Sequence, residues 1–392
     1  MGYRYVIVGG GMTAAAAVEG IRSADPDGTI GLISAEQHPP YARPPLSKAL
    51  WKGEPESSIW RGTEKLGVDL RLGRSAATLD ARAKTVTETT GDVLSYDKLL
   101  LATGGTPRRL PLQTDEIIYY RTYDDYRKLR TLATEKRRFA VLGGGFIGSE
   151  VAAALRLVGR DVTMVVPEAG IGARVFPADL SQFLVQYYRE QGVDVRTGES
   201  LTGLTRSKDE LALATKGGQE VRVDAVVGGI GIQPNVDLAV QAGARVDNGV
   251  VVDELLRTSV PDVFAAGDVA NFFSPALDTR LRVEHEDNAN TMGAAAGRAM
   301  AGDKTPYTHL PFFYSDLFAL GYEAVGELDA RLETFSDWKQ PFREGVVYYL
   351  KDGRVRGVLL WNTWGQVDAA RALIADRRTV RAEQLRGRLA AA

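Results

Sequence analysis

Two glycine turns constrain this 392-residue chain more than any other feature. The first lies in Arg4 to Ala17, Arg-Tyr-Val-Ile-Val-Gly-Gly-Gly-Met-Thr-Ala-Ala-Ala-Ala. The second lies in Arg138 to Val151, Arg-Phe-Ala-Val-Leu-Gly-Gly-Gly-Phe-Ile-Gly-Ser-Glu-Val, and the two align at a constant offset without a gap. Each reads as an apolar strand, a turn and an alanine-containing helix. Gly143, Gly145 and Gly148 stand at G-x-G-x-x-G spacing, and Gly9, Gly11 and Ala14 occupy the matching places. In such a motif the first glycine permits the tight turn. The second lets backbone approach a pyrophosphate, and the third lets helix and strand pack closely. The helix N-terminus then faces the phosphates, so Phe146 and Ile147 at the start of the second helix join the candidate contacts. Two such units imply two dinucleotides, read as FAD in the first and NAD(P)H in the second.

An acidic residue follows each unit at the distance expected for a ribose contact. Glu36 follows Ala14, and Glu168 follows Gly148, each by about 20 residues. A carboxylate at Glu168 repels the 2′-phosphate of NADPH, which favours NADH, although nearby Arg174 softens the preference. The run Asp224 to Gly231 closes the second unit, its glycines, Gly231 included, allowing a nicotinamide to pass close to backbone.

Absence of sulfur narrows the chemistry. The chain has no cysteine, so it has no thiol relay, disulfide, thiolate zinc site or iron–sulfur cluster of its own. With three histidines, a histidine metal cluster is not expected either, and no metal residue is assigned. Hydrophobic residues make up 44% and charged residues 25%, as in a folded soluble chain. A net charge of −2 provides no general attraction for nucleic acid, and no apolar run reaches the length of a membrane span. The arginine-rich end reads as a solvated helix face. Because the first strand begins almost at Met1, a cytoplasmic location is the expectation.

Between the units, His38 to Trp51 is a proline-punctuated loop in which prolines flank Arg43 and stiffen the path to Lys48. Its Arg-Pro-Pro-Leu-Ser-Lys core resembles that of apoptosis-inducing factor and its relatives among the FAD-dependent NADH reductases. Further runs carry the same resemblance: Leu99 to Gly105, Val263 to Ala270, Arg282-Val-Glu-His285, and the C-terminal Gly-Tyr-Glu-Ala-Val-Gly and Gly-Val-Leu-Leu-Trp-Asn. The resemblance implies that Arg43 contacts FAD and that Lys48 lies by the flavin N5 edge. It also puts Thr103 and Gly104 near the adenine side, Arg121 on FAD, and Gly267 and Asp268 at the ribityl chain. Glu284 and His285 would lie at the flavin, next to a helix N-terminus.

The expected architecture is α/β, with two Rossmann-like (glutathione reductase-type) domains for FAD and NAD plus a C-terminal α+β domain. The FAD-binding domain would take 1–110 and 234–310, the NAD-binding domain 111–233 and the C-terminal domain 311–392. Leu70 to Tyr96 reads as an antiparallel insertion, and Trp361 and Trp364 as core. Function follows as an expectation: hydride passes from NADH to flavin, then electrons pass to an unidentified acceptor such as ferredoxin, rubredoxin or a quinone. Lys48 would act from the N5 side, with Glu150 holding it as an ion pair or orienting the nicotinamide. His285 would cap the other end of the ring, and Tyr314 would limit access of solvent and oxygen. The alternative is a redox-responsive binding module whose reduced flavin–NAD complex is long-lived. Tyr314 replaces the tryptophan of the animal relatives, and their insertions are missing between Trp51 and Leu70 and between Leu328 and Gly345. These departures weigh against apoptotic signalling, and a homodimer is left open.

Overall fold

Phe139, Ala140, Val141 and Leu142 are all buried, as are Val6, Ile7 and Val8. Strands buried on both faces belong to parallel sheets covered by helices, and each run forms a central strand of such a sheet. The computed structural model describes residues 1–389, so the last three positions of the expected C-terminal domain lie outside the described residues. Two compact units are present. One comprises Met1–Ala42, Ser57–Thr106 and Gln233–Phe313, and the other Arg43–Glu56, Pro107–Ile232 and the chain from Tyr314 onward.

In the first unit, the strand order is Asp69–Leu72, Ile30–Ser34, Gly2–Val8, Val93–Leu101, Thr85–Glu88, Ala76–Asp80. The long strand Val93–Leu101 changes company along its length. Its end, Leu99 to Leu101, runs parallel to both Gly2–Val8 and Val263–Ala265, while its start pairs antiparallel with Thr85–Glu88. This last pairing, with Ala76–Asp80 beyond it, is the antiparallel insertion. The helices Met12–Ala24 and Glu286–Met300 cross where side chains are small. A Cβ on Gly20 would fall 2.2 Å from the Ala294 carbonyl oxygen, and one on Gly297 would fall 2.1 Å from that of Ala17. Backbones this close leave room only for glycine.

The second unit holds an all-parallel sheet, ordered Val193–Thr197, Asp161–Val166, Arg138–Leu142, Ala225–Gly228, Ile117–Tyr119. The order reverses at Arg138–Leu142, which is where ligands bind in open α/β sheets, outside the carboxyl ends of the strands. A meander of Leu201–Ser207, Glu210–Thr215 and Glu220–Val223 follows. The C-terminal sheet is ordered Phe312–Leu317, Leu320–Gly326, Arg354–Trp361, Glu344–Lys351, Glu333–Gln340, with the helix Val367–Ala375 after it. Its Tyr322 and Trp361 are fully buried and stack with centroids 5.6 Å apart. The expectation for the second tryptophan is corrected here. Trp364 sits beyond the last strand, in a turn ending at left-handed Gly365, and is 52% exposed, so only Trp361 is core.

Candidate functional site

The two glycine turns have the backbone that a bound pyrophosphate requires. Gly9 and Gly143 have φ of +124° and +102°, and a Cβ on them would meet the carbonyl oxygens of Ala102 at 2.1 Å and Gly229 at 2.5 Å. Gly11 and Gly145 are the extended N-caps of the Met12–Ala24 and Phe146–Leu157 helices. No side chain caps either helix, and neither first turn carries an acid. The positive end of each helix dipole therefore has no side-chain anion to offset it and is a place where a phosphate would be stabilised. A Cβ on Gly145 would meet nothing within 4 Å, so open space lies where a phosphate would approach. Gly148 is held against Gly143, its added Cβ 2.1 Å from that carbonyl oxygen, whereas Ala14 takes the equivalent place fully buried. These residues fit two dinucleotides.

Within the second unit, a buried charge cluster gathers around Glu150. Prolines 44 and 45 start the short helix Pro44–Ser47, which is pinned by two hydrogen bonds to the Leu46 carbonyl. The Trp51 indole donates at 2.7 Å and the Tyr120 hydroxyl at 2.5 Å. Lys48 leaves the end of this helix, and its ammonium pairs with Glu150 Oε1 at 2.7 Å. Ser315 Oγ donates to the same oxygen and Ser47 Oγ to Oε2, both at 2.6 Å. The other side of Lys48 lies 5.2 Å from the centroid of the Tyr314 ring, a cation–π contact. Burial pushes the Tyr188 and Tyr322 phenols well above their ordinary range, and the Glu150 charge adds to this. Tyr188 donates to the Ser149 carbonyl, and Tyr322 shares a hydrogen bond with Ser315.

The same unit places the remaining nucleotide candidates. Arg43 donates to the Arg121 carbonyl at 2.9 Å, so these two arginines are neighbours. Glu168, two residues beyond the strand Asp161–Val166, forms an ion pair with Arg174 at 2.6 Å. Gly231 is left-handed at φ +90°, and Ile147 is 39% exposed beside Phe146 at the helix start.

In the first unit, Glu36 accepts a hydrogen bond from Tyr41. Asn235 bridges the turn at Thr103: its amide donates to the Thr103 carbonyl at 2.9 Å, Thr103 Oγ1 donates to the Asn235 carbonyl at 2.8 Å, and its backbone N–H reaches the Gly104 carbonyl. Gly267 is left-handed against Thr13, and Asp268 follows in the short helix Gly267–Val269, its carbonyl accepting from Arg282. Arg282 also pairs with Glu284 at 2.7 Å. His285 is the N-cap of the Glu286–Met300 helix and stacks on Phe313, with centroids 4.1 Å apart. In the first turn of that helix, Asp287 binds His309 at 2.6 Å and the Phe312 amide at 3.1 Å.

Ser47, Ser315, Asn235 and Phe313 belong to these clusters, and the sequence assigns none of them a role, although Ser47 lies within the Arg-Pro-Pro-Leu-Ser-Lys run. Ser47 adjoins Lys48 and Ser315 adjoins Tyr314, so adjacency is the only other signal. No group of acidic residues and histidines capable of holding a metal occurs among the described residues. No helix among them is long and apolar enough to cross a membrane.

Residues 3–293 match the sequence model of a family described as pyridine nucleotide-disulphide oxidoreductase. Residues 296–341 and 336–376 match that described as apoptosis-inducing factor, mitochondrion-associated, C-term. Apoptosis-inducing factor 1, mitochondrial, of Dictyostelium discoideum is 35% identical, with 96% of this chain and 79% of that protein aligned. Putidaredoxin reductase of Pseudomonas putida is 32% identical over 95% of this chain and 92% of that one. Among solved structures, the covalent putidaredoxin reductase–putidaredoxin complex superposes with a TM-score of 0.91, covering 98% of this chain and 95% of the other at 32% identity.

Proposed function

The chain belongs to the pyridine nucleotide-disulphide oxidoreductase family, and from that premise we propose that it is an FAD-dependent NADH oxidoreductase delivering electrons to a small ferredoxin-type carrier protein. The observation that carries this reading is a pair of glycine turns, each leading into a helix N-terminus with no side-chain cap, in a chain without cysteine, so electrons leave by a route other than a thiol. FAD, when bound, supplies the chemistry that takes a hydride from NADH and releases electrons one at a time. The protein supplies binding, orientation and field. Gly9, Gly11 and the Met12 helix hold one pyrophosphate, and Gly143, Gly145 and the Phe146 helix hold the other. Glu36 and Glu168 accept from ribose hydroxyls; Thr103, Gly104, Arg43, Arg121, Gly267, Asp268 and Glu284 shape the flavin side. Lys48 presents a fixed positive charge held by Glu150, and His285 presents a ring backed by Phe313. Tyr314 shields Lys48 from solvent.

Relatives support the choice of carrier. The ferredoxin–NAD(+) reductase component of the anthranilate 1,2-dioxygenase system of Burkholderia cepacia is 35% identical over 95% of this chain. A second reading, a redox-responsive binding module, is favoured by the match of the C-terminal residues to the apoptosis-inducing factor domain. We further assign 1–110 and 234–310 to FAD, 111–233 to NADH and 311–392 to a C-terminal domain, in a cytoplasmic protein. Purified protein titrated anaerobically with NADH should bleach its flavin absorbance and then reduce an added ferredoxin. A colourless protein that takes up no FAD would end the proposal. A flavin that stays reduced in air while oligomer size changes would select the second reading.

A further inference from the structure

Several groups compete for the two oxygens of one buried carboxylate, and only one of them is the lysine. Glu150 Oε2 accepts from Ser47 Oγ at 2.6 Å. Oε1 is shared between Ser315 Oγ at 2.6 Å and Lys48 Nζ at 2.7 Å. Behind Ser315 stands Tyr322, hydrogen-bonded to it and stacked on Trp361, both fully buried in the C-terminal sheet. The two serines come from segments far from Glu150 in sequence, and both are buried. A carboxylate bound to lysine alone can turn about its terminal torsion, which is broad. Serine donors on both oxygens remove that freedom and satisfy lone pairs that burial denies to water.

We propose that Ser47 and Ser315 are positioning residues for flavin reduction, whose hydroxyls fix the plane of the Glu150 carboxylate and thereby the place of the Lys48 ammonium. Through Tyr322, the C-terminal sheet is tied to that setting. This rests on the reading that Lys48 and Glu150 act on the flavin. The consequence is that the serines matter only while a carboxylate stands at position 150.

The test is a double-mutant cycle on the FAD-loaded protein, using Ser47→Ala, Ser315→Ala and each of these in a Glu150→Gln background. Two quantities are read: the rate of flavin reduction in rapid mixing with NADH, and the midpoint potential of the bound flavin. Each serine variant should slow reduction about tenfold, a loss of about 1.4 kcal/mol in transition-state stabilisation, and should shift the potential. In the Glu150→Gln background, removing either serine should change neither quantity further. Equal serine effects in both backgrounds would mean a merely structural role and overturn the inference, as would serine variants indistinguishable from wild type beside a slow Glu150→Gln. If Glu150→Gln itself leaves both quantities unchanged, the underlying assignment of Lys48 and Glu150 fails instead, and the inference falls with it. Ser47→Ala and Ser315→Ala act on different oxygens, so loss of folding in one leaves the other to decide.

Discussion

Lys48 Nζ lies 2.7 Å from Glu150 Oε1, and the two side chains are 11% and 3% exposed. An ion pair this deep is a weak source of net stability, because the desolvation of both charges offsets their attraction. Breaking it is costly, since one charge is left buried alone. Lys48→Met should therefore destabilise the protein by about 3 kcal/mol. Adding Glu150→Gln should recover more than half of that loss, because no unpaired carboxylate is then left buried. Urea denaturation of the FAD-loaded variants checks this, and a single variant as stable as wild type would show that the pair is not energetically coupled.

Glu168 and Arg174 form an ion pair, and on the proposed reading it bears on the choice of nucleotide. With Glu168 in place, a 2′-phosphate meets a carboxylate and the guanidinium is already engaged. Glu168→Ala removes the repulsion and frees Arg174. The ratio of kcat/KM for NADPH over NADH should rise about tenfold or more, equivalent to about 1.4 kcal/mol. Arg174→Ala alone should leave NADH kinetics nearly unchanged. Steady-state kinetics with both nucleotides decides, and an unmoved ratio would remove Glu168 from the ribose site.

How much of this arrangement a reader of the sequence can see depends on how local its cause is. The turns at Gly9 and Gly143 are legible because strand, glycines and helix follow one another in a single short stretch, and the backbone demand falls on particular positions. Lys48 stands out because the prolines on both sides of Arg43 announce a stiff loop that leads to it. Ser47 and Ser315 carry no such mark. Serine is common in loops, and what distinguishes these two is a shared partner that only the tertiary fold brings to them. Trp364 shows the opposite failure. An aromatic shortly after buried Trp361 reads as core, but the strand ends at Trp361 and the turn beyond it carries Trp364 outward.

Glu323, on the strand Leu320–Gly326, gives a pH dependence of unusual sign. Its Oε2 is buried without a hydrogen-bond partner. Burial holds its carboxyl above the ordinary range, only partly countered by the Gly365 amide. A carboxyl whose folded value is raised binds its proton more tightly in the folded state. It favours folding below the unfolded value, about 4.3, and that contribution is lost as pH rises through the folded value. Glu323→Gln should then be more stable than wild type at pH 7 and above, by about 1 kcal/mol, the low end for an unpaired buried polar group. The difference should vanish near pH 4. Melting curves across this range test it, and a variant less stable than wild type at pH 8 would show the carboxylate to be paired in solution.

Gly143 and Gly145 separate the needs of the fold from those of the ligand. Gly143 has φ +102°, and an added Cβ would sit 2.5 Å from the Gly229 carbonyl oxygen, so Gly143→Ala must strain the turn and displace a neighbouring strand end. It should cost at least about 2 kcal/mol of stability. Gly145 has φ −81° and ψ −171°, ordinary extended backbone for any residue, and its Cβ would point into open space. Gly145→Ala should therefore melt within about 0.5 kcal/mol of wild type. The methyl group would nevertheless occupy the approach of the NADH pyrophosphate to the Phe146 helix, and KM for NADH should rise about tenfold or more. FAD content, which the proposed reading assigns to the other turn, should be unchanged. Thermal melting and NADH titration of the two variants make the comparison, and a Gly145→Ala protein with wild-type KM would place the pyrophosphate elsewhere.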